Sequence, residues 1–430
     1  MMVRLSQPVG FSVIDVPATL RQIFDAAVAA CHPSRVVAGA LPQRPDGRIV
    51  VVGAGKASAA MAAAAEDAWG TGLTGAVVTR YGHGASTRGV EVIEAQHPLP
   101  DAAGMNAAQR ALDLVTGLSD RDVVLALLSG GGSALWSAPI GTLSLDEKRA
   151  VTRALVLSGA SIGEINCVRK HLSRIKGGRL AAAAFPARVV TLAISDVASD
   201  DASVIASGPT VGDSSTSQDA IAVLARYQIR ASEKVLKVLS DPASETHKPG
   251  DPLLLRSSFS IIARGGDALA AACDEAQKLG IDAQILGARI EGDARQTGIA
   301  HAEIARHQES GVRPLLLLSG GELTVQVSGS GHGGPNREYL LSLARSLQGA
   351  EKIWAMSADT DGIDGSDDTA GGWIGPDALV KAQAAGVDIF QCQKSNDSAA
   401  YFKKTGQEIV TGPTRTNVND FRAILILPKN

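Results

Sequence analysis

The sequence predicts an α/β protein of two α/β domains, the first with a mainly parallel, Rossmann-like sheet covered on both faces, the second with a mixed sheet. Three observations lead there. Short β-branched runs alternate with Ala- and Leu-rich stretches at helical spacing along most of the chain. Strand-like runs such as "IVVVGA" and "VVLALL" are continuously apolar, as strands buried on both faces must be. At 430 residues the chain exceeds the usual size of one domain, and the alternation breaks once, at "SDPASETHKPGDP" (240–252), before restarting. The expected domains are therefore 1–245 and 246–430.

The elements follow in order. "GRIVVVGAG" (47–55) reads as a buried strand ending in glycines, and "KASAAMAAAAEDAW" (56–69) as the helix after it. Strands 75–80 and 90–95, helix 101–116 and strand 122–130 come next, then helices 144–158 and 161–173 and strand 187–196. Residues 212–256 are polar and helical. Beyond them lie strand 258–263, helix 266–279, strand 282–287, helix 293–309 and strand 313–318. An antiparallel strand 322–329, helix 336–347, strand 352–357 and a terminal strand 422–428 complete the chain. Open α/β sheets bind ligands beyond the carboxyl ends of their strands, so the glycine loops there should face a common interdomain cleft.

Composition narrows the function. Hydrophobic residues make up 45% and charged residues 20%, ordinary for a large soluble core, while 3% aromatics leave few platforms for stacking bases. A net charge of −3 gives no general attraction to nucleic acid or acidic membrane, so neither is an expected partner and anion binding must be local. Cys31, Cys167, Cys273 and Cys392 form no C-x-x-C pair. The first residues lack the apolar core of a signal peptide, and no run of about 18 apolar residues spans a bilayer, so the expected location is cytoplasmic. The histidines show no zinc-binding spacing, and no G-x-S-x-G elbow is present.

Six stretches carry chemistry. "VVVGAGKASAAM" imitates a dinucleotide fingerprint, but Ser58 replaces the third glycine and Arg80 stands where an acid should end the next strand. It also fails as a phosphate loop, with Val50 for the first glycine and Ala57 after Lys56. What survives is Lys56 at a helix N-terminus, a disfavoured place for a cation unless an anion answers it. "LALLSGGGSALW" offers Gly130, Gly131, Gly132 and Ser133, whose backbone can approach an anion closely; "LLLLSGGELTVQV" repeats the device with Gly320, Gly321 and Glu322. The two loops read as opposite walls of one anion-lined cleft. In "GEINCVRKHLSRIKGGRLA", Arg169 and Lys176 share a helix face, with Lys170 and Arg174 beside them. Asp196, just past a buried strand, suits a general base or a metal ligand, whereas Asp200 and Asp201 read as helix caps. In "SADTDGIDGSDDTAGG", Asp361 is the favoured ligand of a metal–nucleotide complex, and Asx-turns are the other use of so many aspartates.

Together with "GGPNREYLL" and "TGPTRTNVNDF", these stretches run in order from residue 53 to 421 and resemble the class II glycerate 2-kinase family, whose C-terminal part is the MOFRL domain (about 313–425 here). The resemblance implies ATP-dependent phosphorylation of D-glycerate at its 2-hydroxyl, giving 2-phosphoglycerate and ADP with Mg²⁺ or another divalent cation. It also implies an active site between the domains and Lys56 as catalytic lysine. Some relatives carry the label hydroxypyruvate reductase of tartrate utilisation, so an NAD(P)H-dependent hydroxypyruvate reductase is the alternative. Members often read Gly-Gly-Arg-Asn-Gln-Glu where this chain has Gly333-Gly334-Pro335-Asn336-Arg337-Glu338, leaving Arg337 or Arg415 to replace the arginine lost at Pro335. The expected catalytic residues are Lys56, Asp196 and Arg337, and the expected substrate-binding ones Lys56, Arg169 and Ser133. Gly130, Gly131, Gly132, Ser133, Gly320, Gly321, Glu322 and Asn336 are expected at the nucleotide, and Asp196 and Asp361 at the metal. D-glycerate and ATP are the partners, and a homodimer is left open.

Overall fold

The computed structural model describes residues 15–428 apart from 309 and 366, so the signal-peptide reading of the first residues falls outside it. Six strands, β1 (Ile49–Ala54), β2 (Leu73–Arg80), β3 (Val90–Ala95), β4 (Val123–Leu128), β5 (Arg188–Ile194) and β6 (Ser257–Ala263), form one parallel sheet in the order β3-β2-β1-β4-β5-β6. Both faces are covered. Val51 packs with Met61 and Ala65 of helix Ser58–Trp69, whereas Val50 and Val52 pack with Ala108 and Ala111 of helix Ala102–Val115. That two-sided burial is why β1 and β4 are apolar throughout. The strand order reverses between β1 and β4, and a crevice for ligand opens at such a switch point.

The second sheet is mixed. β7 (Asp282–Gly287) runs parallel to β9 (Leu315–Gly321), and β11 (Ile353–Asp359), β12 (Gly371–Ile374), β13 (Glu408–Ile409) and β14 (Asp420–Ile426) join antiparallel in the order β13-β12-β11-β14-β9-β7. A minor parallel pair links β8 (Gly292–Asp293) to β10 (Leu323–Thr324). One apolar core runs through both units: Leu125 and Leu192 of the first sheet share a cluster with Leu316, Met356 and Phe421 of the second. Helix Val16–Ala30 lies against the second unit, packing on helix Gly265–Lys278 and burying Leu20 and Phe24, with the Phe24 ring 5.5 Å from that of Phe421. No helix among the described residues is long and apolar enough to cross a membrane.

Two elements differ from the sequence reading. The strand at 257–263, which a 245/246 division assigns to the second unit, pairs with β5 and completes the first sheet. The ladder is extended at both ends, Val189 N–H donating to Arg256 C=O and Ser195 N–H to Ala263 C=O, each at 2.9 Å. The expected antiparallel strand 322–329 shrinks to β10, which pairs parallel with β8. Side chains take its amides instead: Leu323 N–H donates to Asp420, and those of Ser328 and Gly329 to Asn396 Oδ1. A backbone amide given to a side chain is lost to a ladder.

Candidate active site

At the carboxyl ends of β1 and β4, two glycine loops are bonded together. Lys56 N–H donates to Gly130 C=O (2.8 Å) and Ala57 N–H to Ser129 Oγ (2.9 Å). Gly55 takes φ +139°, and a Cβ there would lie 2.2 Å from Ser129 Oγ, so only glycine permits this approach. The helix begins at Ser58 rather than Lys56. The Lys56 side chain crosses to the other domain and ends 2.5 Å from Asp361 Oδ2. Burial works against its charge, but Asp361, Asp359 and Asp196 outweigh burial and hold the ammonium above its ordinary range.

Carboxylates collect around that ammonium. Asp359 ends β11, Asp361 follows it, and Asp196 lies just beyond β5. Asp359 Oδ1 accepts Asp361 N–H at 3.0 Å, and Asp361 Oδ1 accepts Ile363 N–H at 2.8 Å, fixing the turn. Burial, and then the neighbouring Asp361, push Asp359 well above the carboxylate range; Asp196 is also raised by burial. The segment before β14 ties the domains together here. Asn417 Nδ2 donates to Asp196 Oδ2 (3.1 Å) and Asn419 Nδ2 to Asp196 C=O (2.5 Å).

The first Ser-Gly-Gly loop lies against this centre. A Cβ on Gly130 would lie 2.1 Å from both Asp196 Oδ2 and Asn417 Nδ2. Gly131 adopts φ +82° against His97 and Lys56, and Gly132 opens the short helix Gly132–Leu135. The amides of Gly130, Gly131 and Ser133 have no acceptor among the described residues. The second Ser-Gly-Gly is not a loop. Gly320 and Gly321 are the last residues of β9, paired with Phe421 and Asp420, and Gly321 closes on the Ile290 backbone. It still lines a small interdomain cavity of about 100 Å³ with Ser195 and Asp196, so the two glycine segments flank Asp196 from different sides. Glu322 is exposed beside that cavity, within electrostatic reach of Asp196 and Lys56.

Of the basic run, most members are structural. Lys170 pairs with Asp213 (3.1 Å), His171 with Glu245 (2.9 Å), and Arg179 donates to the carbonyls of Lys170, Ser173, Ser244 and Glu245. Arg169 and Lys176 instead border a cavity of about 290 Å³ that Ser133 also lines. Lys176 Nζ donates to Ser133 C=O (2.8 Å), and Ser133 Oγ lies 2.7 Å from Ser207 Oγ.

Arg337 and Asn336 are placed elsewhere than the sequence reading put them. Both are fully buried in the second domain. Arg337 donates to Asp364 Oδ2 through Nε (2.9 Å) and to Asp367 Oδ2 through Nη1 (3.0 Å), while Nη2 donates to Asp364 C=O and Asp367 Oδ1. All three guanidinium nitrogens are engaged, which leaves Arg337 a scaffold for the aspartate loop. Asn336 bonds Asp420 Oδ1 (2.7 Å) and accepts from Ser357 Oγ (2.5 Å), with no free edge for a nucleotide. Arg415 is exposed in a groove with His32, Asp67 and Ser86.

Sequence reasoning missed His83, His97, Asn417, Asn419 and Lys148. His97 is half-buried near Lys56 and Arg80, and desolvation first, then those cations, lower its pKa to about 3. His83 is 2% exposed, and neither ring nitrogen has a partner among the described residues. No motif flags either one. The Asn-x-Asn spacing of 417 and 419, just ahead of a strand, was the readable signal for the other pair.

No three His, Cys, Asp or Glu among the described residues converge as a metal cage. Yet Asp196, Asp359 and Asp361 surround a single ammonium, and burial raises the first two. This surplus of buried carboxyl groups over cations fits a divalent ion that arrives with phosphate oxygens and keeps some of its waters.

Two α/β units that meet at a lysine–carboxylate centre, under a glycine loop with open amides, define a protein that handles small anions between its sheets. Residues 19–240 match a domain of unknown function (DUF4147) and residues 315–420 match the MOFRL family. The chain belongs to the class II glycerate 2-kinase family. It is 42% identical over 416 residues to the D-glycerate 2-kinase of Thermotoga maritima, covering 94% of this chain and 97% of that one. It is 50% identical over 414 residues to an Agrobacterium vitis protein named as a hydroxypyruvate reductase, covering 95% and 94%. A crystal structure of glycerate kinase from Thermotoga maritima superposes with a TM-score of 0.85 at 40% identity, covering 96% of this chain and 99% of that chain.

Proposed function

We propose that this chain is an ATP-dependent glycerate 2-kinase, which transfers the γ-phosphoryl group of ATP to the 2-hydroxyl of D-glycerate and releases 2-phosphoglycerate and ADP. The full-length likeness to glycerate kinases supports the reaction. Within the site, the reading rests on Lys56, a cation held at the domain junction by carboxylates.

Phosphoryl transfer asks the protein for positioning and charge neutralisation more than for covalent chemistry. Lys56 sits where the γ-phosphoryl group and the incoming hydroxyl meet, and exchanges Asp361 for phosphate oxygens. The hydroxyl oxygen attacks the γ-phosphorus as its bond to the ADP oxygen breaks. Asp196 orients the hydroxyl and takes its proton, a role suited to a buried carboxylate with a raised pKa. The open amides of Gly130, Gly131 and Ser133 receive oxyanions, and Arg169 with Ser133 serves the substrate carboxylate. Gly321 and Glu322 form the opposite wall. Asp196 and Asp361, with Asp359 beside them, would hold a divalent ion, which supplies neutralisation of phosphate charge.

The reductase reading meets a geometric obstacle. A dinucleotide's pyrophosphate is received by free amides at the first strand–helix turn. Here those of Gly55, Lys56, Ala57 and Ser58 are all donated within the protein. ADP release from D-glycerate, ATP and Mg²⁺, assayed beside NADPH oxidation by hydroxypyruvate, tests both. Nicotinamide oxidation without ADP formation would overturn the kinase reading.

A further inference from the structure

The 290 Å³ cavity lies beside the lysine–carboxylate centre, between loop residues Pro98–Pro100, helix Gly132–Leu135 and the helices Leu145–Leu157 and Ile162–His171. Its lining contains five cationic side chains and no carboxylate. Arg149 is neutralised by Asp146 (3.0 Å), and Lys176 is bonded to Ser133 and Ala206. Three cations are left without a partner among the described residues: Arg153, which is exposed to solvent, and Lys148 and Arg169, which are not. Lys148 is 4% exposed, and its Nζ is buried with no hydrogen bond. Arg169 is half-buried and donates to nothing.

An unpaired buried ammonium is among the costliest groups a fold can keep, unless something arrives to answer it. Leu99, Val156 and Leu157 stand exposed at the rim, so the cationic floor lies under an apolar mouth. Such a mouth excludes water and strengthens an ionic contact below it. The cavity joins the catalytic centre through the 130–133 loop: a Cβ on Gly131 would lie 3.1 Å from the His97 ring and 3.6 Å from Lys56 Cγ, and Ser133 lines the cavity two residues on.

We propose that this cavity is an anion-binding site that holds the carboxylate or phosphate end of a reactant, with Lys148 and Arg169 as its binding residues. The identity of the reactant rests on the kinase reading above; the anion chemistry does not. D-glycerate brings a carboxylate and ATP brings phosphates. Burial, then Arg169 and Arg179, lower Lys148 to about 7, so an arriving anion raises it again and binding draws in a proton near pH 8.

Lys148→Met and Arg169→Gln separate these points. Calorimetric titration with inorganic phosphate at pH 8, in two buffers of different ionisation enthalpy, should show proton uptake for the wild type. It should be absent in Lys148→Met, and affinity should fall at least about tenfold in both variants. A rise in KM for D-glycerate alone assigns the carboxylate, and a rise for ATP alone assigns the phosphates. Unchanged phosphate affinity together with both KM values unchanged, in a Lys148→Met protein of normal far-UV circular dichroism, would overturn the site while leaving the kinase reading intact. Lys148-dependent phosphate binding by a wild type that forms no ADP would sink the kinase reading and keep the site. Should Lys148→Met fail to fold, Arg169→Gln carries the same titrations.

Discussion

Lys56 and Asp361 are 305 positions apart in sequence, yet the lysine ammonium and the aspartate carboxylate meet at 2.5 Å across the junction of the two sheets. The pair is nearly withdrawn from solvent, the carboxylate at 1% exposure. Removing one partner of a buried ion pair leaves the other uncompensated and costs about 3–5 kcal/mol. A Lys56→Ala variant should therefore lose stability together with at least a hundredfold in kcat/KM, a loss of the order seen when a transition-state donor is removed. Lys56→Met combined with Asp361→Asn should recover much of the melting temperature and none of the activity. Recovery of activity in the double variant would show that the pair serves only the fold.

Gly130 tests how closely the first loop defines Asp196. A methyl group there meets the Asp196 carboxylate and Asn417 amide at 2.1 Å, a distance that no relaxed structure tolerates. Gly130→Ala should displace Asp196 and lower kcat by about 10- to 100-fold, with overpacking costing about 1–3 kcal/mol in denaturant titrations. Gly39, with nothing within 4 Å of its missing Cβ, is the control position.

Arg337 should behave as a structural residue. Its guanidinium lies between Asp364 and Asp367 and is fully buried. Arg337→Met strands Asp364 without its cation, and about 3–5 kcal/mol of stability should be lost. Where the variant folds at low temperature, its KM for D-glycerate should stay within about threefold of wild type, a change worth about 0.7 kcal/mol. A selective loss of kcat with stability unchanged would return Arg337 to the catalytic machinery.

These outcomes trace which parts of the molecule could be read from the chain. The central strands β1 and β4 were the most legible, because a strand covered on both faces must be apolar throughout. The partner of a strand was not legible: 257–263 reads the same in either sheet, and only pairing with β5 decides. Lys56 and Asp196 stood out because their positions at strand ends carry meaning. Arg337 shows what a motif leaves out: an arginine two positions from the vanished family arginine reads as functional, and only the fold shows its guanidinium bonded to Asp364 and Asp367. Lys148 was invisible, lying in an ordinary helical charge pattern whose burial depends on three other elements.

The cationic cavity also shapes how stability depends on pH. Lys148 falls from 10.5 in the unfolded chain to about 7 in the fold, chiefly through burial. Between those two values the unfolded state binds more protons, so stability attributable to this group rises with pH across that window. Below about pH 7 both states carry the charge, and the fold bears the full cost of burying it unpaired. Above 10.5 neither does, and the cost is gone. Lys148→Met should accordingly raise the melting temperature most at pH 6–6.5, with the gain shrinking steadily towards pH 10, in buffers free of phosphate. Adding phosphate should raise the wild-type melting temperature at pH 6.5 and close the gap, because an anion bound only to the folded state stabilises it by mass action. A gap that is flat with pH and indifferent to phosphate would mean that Lys148 is already answered within the protein.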